Sequence, residues 1–227
     1  CYKVLGTIYE YFGDIDNAIE ANEAAIAAAE KIGDINIKTN ACNPLSGLYL
    51  NKNNIDKAME IIEECIALKQ QTGDTRGLAF AYYGRGKIYT KKVQFDLAEA
   101  DFSKSIAIHI EMGEKLGLAM AYQKMGELYM RKKDFSKAEE FLLQSLELSY
   151  KYKMRMTKTK TSYMLYEVFK EQLNIEKALY YLEMHHAEQE ANVNNQTRQI
   201  VNSYTLINKM EAQALQDKMQ IERVEMM

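Results

Sequence analysis

The sequence repeats itself every 40 residues, and this period constrains the fold more than any other feature. Tyrosine returns at Tyr9, Tyr49, Tyr89 and Tyr129. Alanine returns at Ala18, Ala58, Ala98, Ala138 and Ala178. A fixed period of this length indicates repeated supersecondary units that bury their apolar faces by stacking on one another. We therefore expect an elongated array of units.

Each unit has the pattern of two helices. The apolar residues Phe135, Ala138, Leu142 and Leu146 follow helical spacing, which places them on one face of a helix. The chain contains a single proline and no tryptophan, in agreement with a largely helical fold. Capping side chains are expected before each second helix at Asp14, Asn54, Asp134 and Asn174, with Gln94 as a poorer cap. Glycines suited to the left-handed residue after a helix follow at Gly33, Gly73 and Gly113.

Two residues depart from this pattern. Pro44 lies within a predicted first helix, and because proline lacks an N–H and clashes with the preceding turn, we expect a kink or a helix start near Asn43. Lys153 stands where the other units have glycine, so we expect a different turn into the last unit and a shifted helix start.

Small residues predict close packing between the two helices of a unit. Gly6, Gly86 and Gly126 lie on the first helix, where a larger side chain would separate it from the second. The motif Leu5-Gly6-x-x-Tyr9 followed by Ala18, repeated as Met125-Gly126-x-x-Tyr129 followed by Ala138, resembles the tetratricopeptide repeat. The interval of 40 residues, against about 34 in the common form, is similar to a longer-period branch found in bacterial signalling proteins.

This resemblance implies an all-α fold, a right-handed superhelical solenoid of helix-turn-helix repeats with a long C-terminal helix. Five units would occupy residues 1–34, 35–74, 75–114, 115–154 and 155–182. Residues 183–227 contain no proline or glycine, and Val193, Ile200, Ile207, Ala214 and Ile221 recur every seven residues as half of a coiled-coil seam. We expect residues 183–207 to form a helix that caps the fifth unit. For residues 208–227 two interpretations stay open: a solvated helix, or a connector that forms a homodimer.

The sequence offers few groups for catalysis or metal binding. Cys1, Cys42 and Cys65 are scattered, which indicates reduced thiols of a cytoplasmic protein. His185 and His186 are neighbours, which point about 100° apart on a helix, and no acid–histidine motif surrounds them. We expect no catalytic residues, no metal and no cofactor.

Charge and hydropathy exclude two classes of partner. The chain has 29 basic and 32 acidic residues, a net charge of −3, and so lacks the positive field of nucleic-acid-binding proteins. No apolar stretch approaches the roughly 20 residues that cross a bilayer. We expect neither a nucleic-acid nor a membrane partner.

In tetratricopeptide arrays the first helices line a concave groove, so the resemblance implies that side chains beside the packing residues face such a groove here. These side chains are expected to bind a protein or peptide ligand through polar contacts and aromatic anchors: Asn43, Tyr83, Lys87, Gln123, Lys124, Glu127 and Tyr163. Relatives that grip the terminal carboxylate of chaperones use a lysine, asparagine and arginine set that this chain matches only in part. Capture of chaperone tails is therefore not expected.

Two functions remain open, and both are non-catalytic scaffolds. By resemblance, the chain is the regulatory or sensory fragment of a larger bacterial signalling protein whose output is a histidine kinase, a cyclase or a transcription regulator. The alternative is a free-standing adaptor with no attached enzyme.

Overall fold

The computed structural model describes residues 2–191, 193 and 194, which form ten helices and no strands. The expected all-α fold is therefore confirmed over this part of the chain. Nine helices have the bounds α1 Tyr2–Tyr11, α2 Ile15–Ile32, α3 Ile35–Asn51, α4 Ile55–Thr72, α5 Thr75–Lys91, α6 Phe95–Glu111, α7 Lys115–Arg131, α8 Phe135–Lys151 and α9 Arg155–Glu171. The tenth, α10, begins at residue 175 and is helical at all described residues up to 194.

The helices stack in chain order into a helical repeat solenoid. Each of the first nine helices packs against the helix that follows it or precedes it in sequence. The first helices of successive units, α3, α5, α7 and α9, also contact one another. They therefore share one side of the array, on which the candidate site lies.

Small residues allow the two helices of a unit to touch. The recurring alanines Ala18, Ala58, Ala98 and Ala138 are completely buried. A Cβ atom added at Gly86 would lie 2.6 Å from the Phe102 ring, and one added at Gly126 would lie 2.5 Å from Leu142. The predicted close packing is present. The space that each glycine leaves is filled by the side chain one turn after the recurring alanine, which is Phe102 beside Gly86 and Leu142 beside Gly126.

The predicted caps form. The side chains of Asp14, Asn54, Asp134 and Asn174 each accept a hydrogen bond from the backbone N–H three residues later. Gln94 makes no such bond. Gly33, Gly73 and Gly113 take the left-handed conformation, with φ between 66 and 70°. The caps and the left-handed glycines therefore lie at the helix ends as the sequence indicates, although α6 begins in register at Phe95 without a side-chain cap.

Both expected irregularities need correction. Helix α3 runs without interruption through Pro44, so a helix start near Asn43 is wrong. The carbonyl of Asn40, which Pro44 leaves without an N–H donor, belongs to an exposed residue that water can reach. Lys153 takes the left-handed conformation, with φ 55°. Its N–H bonds the Tyr150 carbonyl as that of Gly113 bonds Ile110, so the turn is the same and α9 starts in register.

Helix α10 continues across residue 182, where the sequence places the end of the array. Beyond that point, Glu188 forms a 2.6 Å ion pair with Lys158 of α9. The His185 Nδ1 atom lies 2.8 Å from the Thr159 carbonyl oxygen. This part of α10 therefore packs on the fifth unit. Of the seven-residue seam, Val193 is exposed, and its other positions, Ile200, Ile207, Ala214 and Ile221, lie outside the described residues.

A buried ion pair replaces apolar packing in the third unit. Arg85 donates two hydrogen bonds to the Asp101 carboxylate, at 2.6 and 2.9 Å. Forty residues earlier the equivalent positions hold the buried pair Leu45 and Ile61. The Arg85 guanidinium also lies 5.6 Å from the centre of the Tyr82 ring. A buried carboxylate is costly without its cation, so each member of the pair depends on the other.

We predict that Arg85→Leu lowers the free energy of unfolding by about 3 kcal/mol because it leaves Asp101 buried without its main partner. The double variant Arg85→Leu/Asp101→Ile, which copies the second unit, should recover most of that loss. Urea denaturation followed by circular dichroism measures both. A double variant no more stable than the single one would contradict this account.

His109 is buried at the joint between the third and fourth units. Its ring packs edge-on against Phe80 at 4.9 Å between ring centres, and neither ring nitrogen has a hydrogen-bond partner among the residues that the structure describes. A Cβ atom at Gly117 would lie 2.2 Å from the ring, so glycine is needed there. Burial lowers the pKa of His109 below its ordinary 6.5, against the opposing charge of Glu114 and with a smaller contribution from Arg76.

We predict that His109 makes the array less stable in mild acid. Because the folded chain resists protonation of this ring, the unfolded chain binds the proton first, and stability falls as the pH drops below about 6.5. His109→Ser, which copies Ser149 of the next unit, should flatten that slope in thermal melts between pH 7.5 and 5.5, roughly the range in which histidine titrates. The matched variant at exposed His186, His186→Ser, should leave the slope unchanged; equal slopes in all three proteins would refute the assignment.

Candidate functional site

Three cavities join along the odd-numbered helices. The first, of about 250 Å³, lies mainly between α3 and α5, and the second, of about 260 Å³, lies between α5 and α7. The third, of about 340 Å³, lies between α7 and α9. Leu50 and Lys87 line both the first and the second, while Glu127 and Arg131 line both the second and the third. We call this continuous surface the groove.

Five of the seven predicted site residues line the groove. Asn43, Tyr83 and Lys87 lie in the first cavity. Lys87 lies in the second cavity as well, together with Lys124 and Glu127. The first helices therefore bring these side chains to one surface, as the repeat pattern predicts.

The other two predicted residues are engaged elsewhere. Gln123 is buried, and its amide donates to the Thr157 carbonyl at 3.1 Å and to the Thr161 hydroxyl at 2.7 Å. Tyr163 lies against His185 of α10, with ring centres 5.1 Å apart. Gln123 thus ties α7 to α9, and Tyr163 ties α9 to α10.

Sequence reasoning missed most of the apolar lining and two cations, Lys91 and Arg131. The missed residues of the first two cavities include Pro44, Leu50, Phe80, Met120, Thr90, Phe102 and Arg131. Several lie one helical turn from a predicted residue: Phe80 precedes Tyr83 by three positions, and Arg131 follows Glu127 by four. Extending the predicted set by one turn in each direction would have found them.

Charges in the groove are unevenly paired. Glu127 accepts ion pairs from Lys124 at 2.5 Å and from Arg131 at 3.4 Å. Burial raises the pKa of Glu127, but the charges of these two cations outweigh burial, so its pKa lies below the ordinary value. The Glu127 carboxylate is therefore ionised and already occupied.

Lys87 has no such partner. Among the described residues it forms no ion pair, and its Nζ lies 5.8 Å from the centre of the Tyr83 ring. Burial lowers the pKa of Lys87, and the nearby positive charge of Lys124 lowers it further. Burial also raises the pKa of Tyr83, so its hydroxyl stays protonated at neutral pH.

In the part of the chain that the structure describes, we find no metal site, no membrane-spanning helix and no activated thiol. Within residues 2–191, 193 and 194 there is no grouping of three or more His, Cys, Asp or Glu side chains fit to hold a metal. No helix in that range combines the length and apolar character needed to span a bilayer. Cys42 and Cys65 are buried and unpaired, and burial raises their pKa values to about 11 and about 12. These thiols are therefore protonated and poorly nucleophilic at neutral pH.

Family models of the tetratricopeptide repeat match residues 39–72 and 77–151. The chain is a tetratricopeptide repeat protein. The matched segments contain α4, α6, α7 and α8 in full and most of α3 and α5, and they include every lining residue of the second cavity. Comparison with curated protein sequences gave no match.

Solved structures share the fold of this tetratricopeptide repeat protein at low sequence identity. BtubC from P. vanneervenii is 19% identical with a TM-score of 0.71, over 84% of this chain and 79% of that one. A signal-transduction ATPase with a tetratricopeptide repeat sensor from Pyrococcus horikoshii is 17% identical with a TM-score of 0.72, over 86% and 30%. A Rap protein complexed with competence and sporulation factor is 14% identical with a TM-score of 0.65, over 83% and 63%.

We predict that Lys124→Met raises the pKa of Lys87, because removing a like charge favours the protonated amine. The pKa should stay below the ordinary lysine value, since burial is the larger cause of the shift. NMR titration of isotope-labelled lysine side chains measures the change. Lys91→Met is the matched control, because Lys91 also lines the second cavity but is exposed. If Lys124→Met leaves the Lys87 titration where it was, the two charges are not coupled.

Proposed function

We propose that this tetratricopeptide repeat protein is a non-catalytic scaffold whose groove binds a peptide or a segment of another protein. The observation that carries the proposal is the groove itself, a continuous run of three cavities along the first helices. Tyr83 lines the first cavity and Lys87 lies where the first and second cavities meet, both half-buried and beside apolar side chains. Partly buried aromatic and cationic side chains of this kind act as anchors in protein interfaces.

We further propose that the array is the regulatory or sensory part of a bacterial signalling protein. Support comes from two proteins with the same fold, the Pyrococcus horikoshii ATPase with its repeat sensor and the Rap protein in complex with a factor. A bound segment that prefers one curvature of the array would shift its conformational equilibrium and so transmit a signal. The buried, unpaired thiols of Cys42 and Cys65 fit a reducing compartment such as the cytoplasm.

A free-standing adaptor is the alternative, and it uses the same groove. The complete coding sequence distinguishes the two: a kinase, cyclase or DNA-binding domain in the same polypeptide supports the signalling role. A homodimer through the C-terminal helix is compatible with both, and its seam falls on residues outside the described part of the chain after Val193.

A display library of random peptides tests the groove. We predict that peptides selected on the native chain bind the double variant Tyr83→Ala/Lys87→Ala at least tenfold more weakly, a loss typical of central anchor residues. Fluorescence anisotropy measures the affinities, and circular dichroism verifies that both proteins are equally helical.

The chain offers a matched control for this experiment. Lys151 lies over the Tyr152 ring at 5.8 Å, the same separation as between Lys87 and Tyr83, but at the α8–α9 turn. Lys151→Ala/Tyr152→Ala should leave peptide affinity unchanged. Equal affinity of all three proteins for the selected peptides would remove the groove as the binding site.

A further inference from the structure

The second cavity carries an excess of positive charge. Its lining contains four cations, Lys87, Lys91, Lys124 and Arg131, and one carboxylate, Glu127. Two of the cations already pair with that carboxylate. The others form no ion pair among the described residues, and of these Lys87 is half-buried while Lys91 is exposed.

Charges farther from Lys87 do not neutralise it. Glu10 of α1 lines the first cavity, and Lys160 of α9 acts on Lys87 with the opposite sign. Neither lies within ion-pair distance of the Lys87 Nζ atom. Glu127 also attracts Lys87, but its carboxylate already pairs with Lys124 and Arg131. A partly desolvated ammonium group without an ion-pair partner is unfavourable, so an incoming carboxylate would form a charge-assisted hydrogen bond there.

Apolar surface adjoins this cation in the first cavity. The first cavity, which shares Lys87 with the second, is lined by Pro44, Leu50, Phe80 and Met120. Toward α9 the groove continues into the third cavity, where Glu127 and Arg131 lie with Met130, Met164 and Glu167. Lys87 therefore stands within the groove, with space for a polypeptide on both sides of it.

We propose that the groove selects a peptide segment in which an acidic side chain pairs with Lys87 and a neighbouring apolar side chain fills the first cavity. This inference rests on the proposed function and adds the chemistry of the ligand. The carboxylate belongs to an internal Asp or Glu side chain, because a chain that ended at Lys87 would leave part of the groove empty. Glu127 occupies the equivalent position one unit later, so preference for an acid is confined to the third unit.

The test uses random peptides displayed with a fused C-terminus, which therefore present no free terminal carboxylate. Selection on the full chain should enrich Asp or Glu next to an apolar residue. Selection on Lys87→Met should lose the acidic preference, while Lys87→Arg and the exposed control Lys151→Met should keep it. Circular dichroism confirms that each variant is as helical as the native chain.

Synthetic peptides from the selection, amidated at the C-terminus, then measure the pairing directly. Replacing the enriched Glu by Gln, or Asp by Asn, should weaken binding to the native chain by about tenfold or more, as expected for a hydrogen bond between charged groups. The same replacement should have little effect on Lys87→Met, since the partner is already absent. Affinity for the native chain should also fall as salt rises, and less so for the variant.

The outcomes separate this inference from the proposed function. Selected peptides without an acidic preference, whose binding still depends on Tyr83, would overturn the inference and leave the groove intact. Peptides that bind only with a free C-terminal carboxylate would overturn it as well. Peptides that bind equally to the native chain and to Tyr83→Ala/Lys87→Ala would overturn both.

Discussion

The close approach of the two helices within each unit is the contact on which the whole array depends. Where glycine stands on the first helix, at Gly86 and Gly126, a single added carbon atom would collide with the partner helix. The second unit solves the same problem with a polar contact: Ser46 donates its hydroxyl hydrogen to the Ala58 carbonyl at 2.8 Å. Because the second, third and fourth units keep their two helices this close, α3, α5 and α7 meet in register, and the first two cavities of the groove lie along them.

Equivalent positions in successive units differ in residue type far more than in the geometry of their contacts. Tyr129 stacks on Phe141 with ring centres 5.6 Å apart, and one unit later the two residue types exchange places as Phe169 and Tyr181, at 5.3 Å. At the end of the second helices the buried column holds Ala29, Lys69, His109 and Ser149. Lys69 pairs with Asp74 at 2.8 Å, whereas His109 has no hydrogen-bond partner within the described part of the chain. The stacked units therefore accommodate a charged group such as Lys69 where an acidic side chain pairs with it, and a ring such as His109 where a glycine leaves space for it.

The caps were predictable because each depends on residues within one turn of the helix start, and the packing glycines because their partners lie in the same unit. The predictions of a helix start near Pro44 and of a different turn at Lys153 were wrong because the rest of each unit stabilises the helix or turn enough to outweigh one unfavourable residue. A left-handed non-glycine residue costs about 1 kcal/mol or more, and the array also accepts it at Asn53, Val93, Lys133 and Leu173. Gln123 could not be placed from sequence, since its partners Thr157 and Thr161 lie more than 30 residues away.

Packing positions and groove positions differ in how much they vary along the chain, and this difference explains how a repetitive chain can bind a specific ligand. Positions that hold the helices together are nearly constant along the chain, as the buried alanines are. The position of Lys87 is not constrained in this way, and it holds Thr7, Gly47, Glu127 and Glu167 in the other units. Stacking places these unlike residues side by side on one surface. A peptide lying along the groove therefore meets a sequence of different groups, and Lys87 is a half-buried cation that has no ion-pair partner among the described residues.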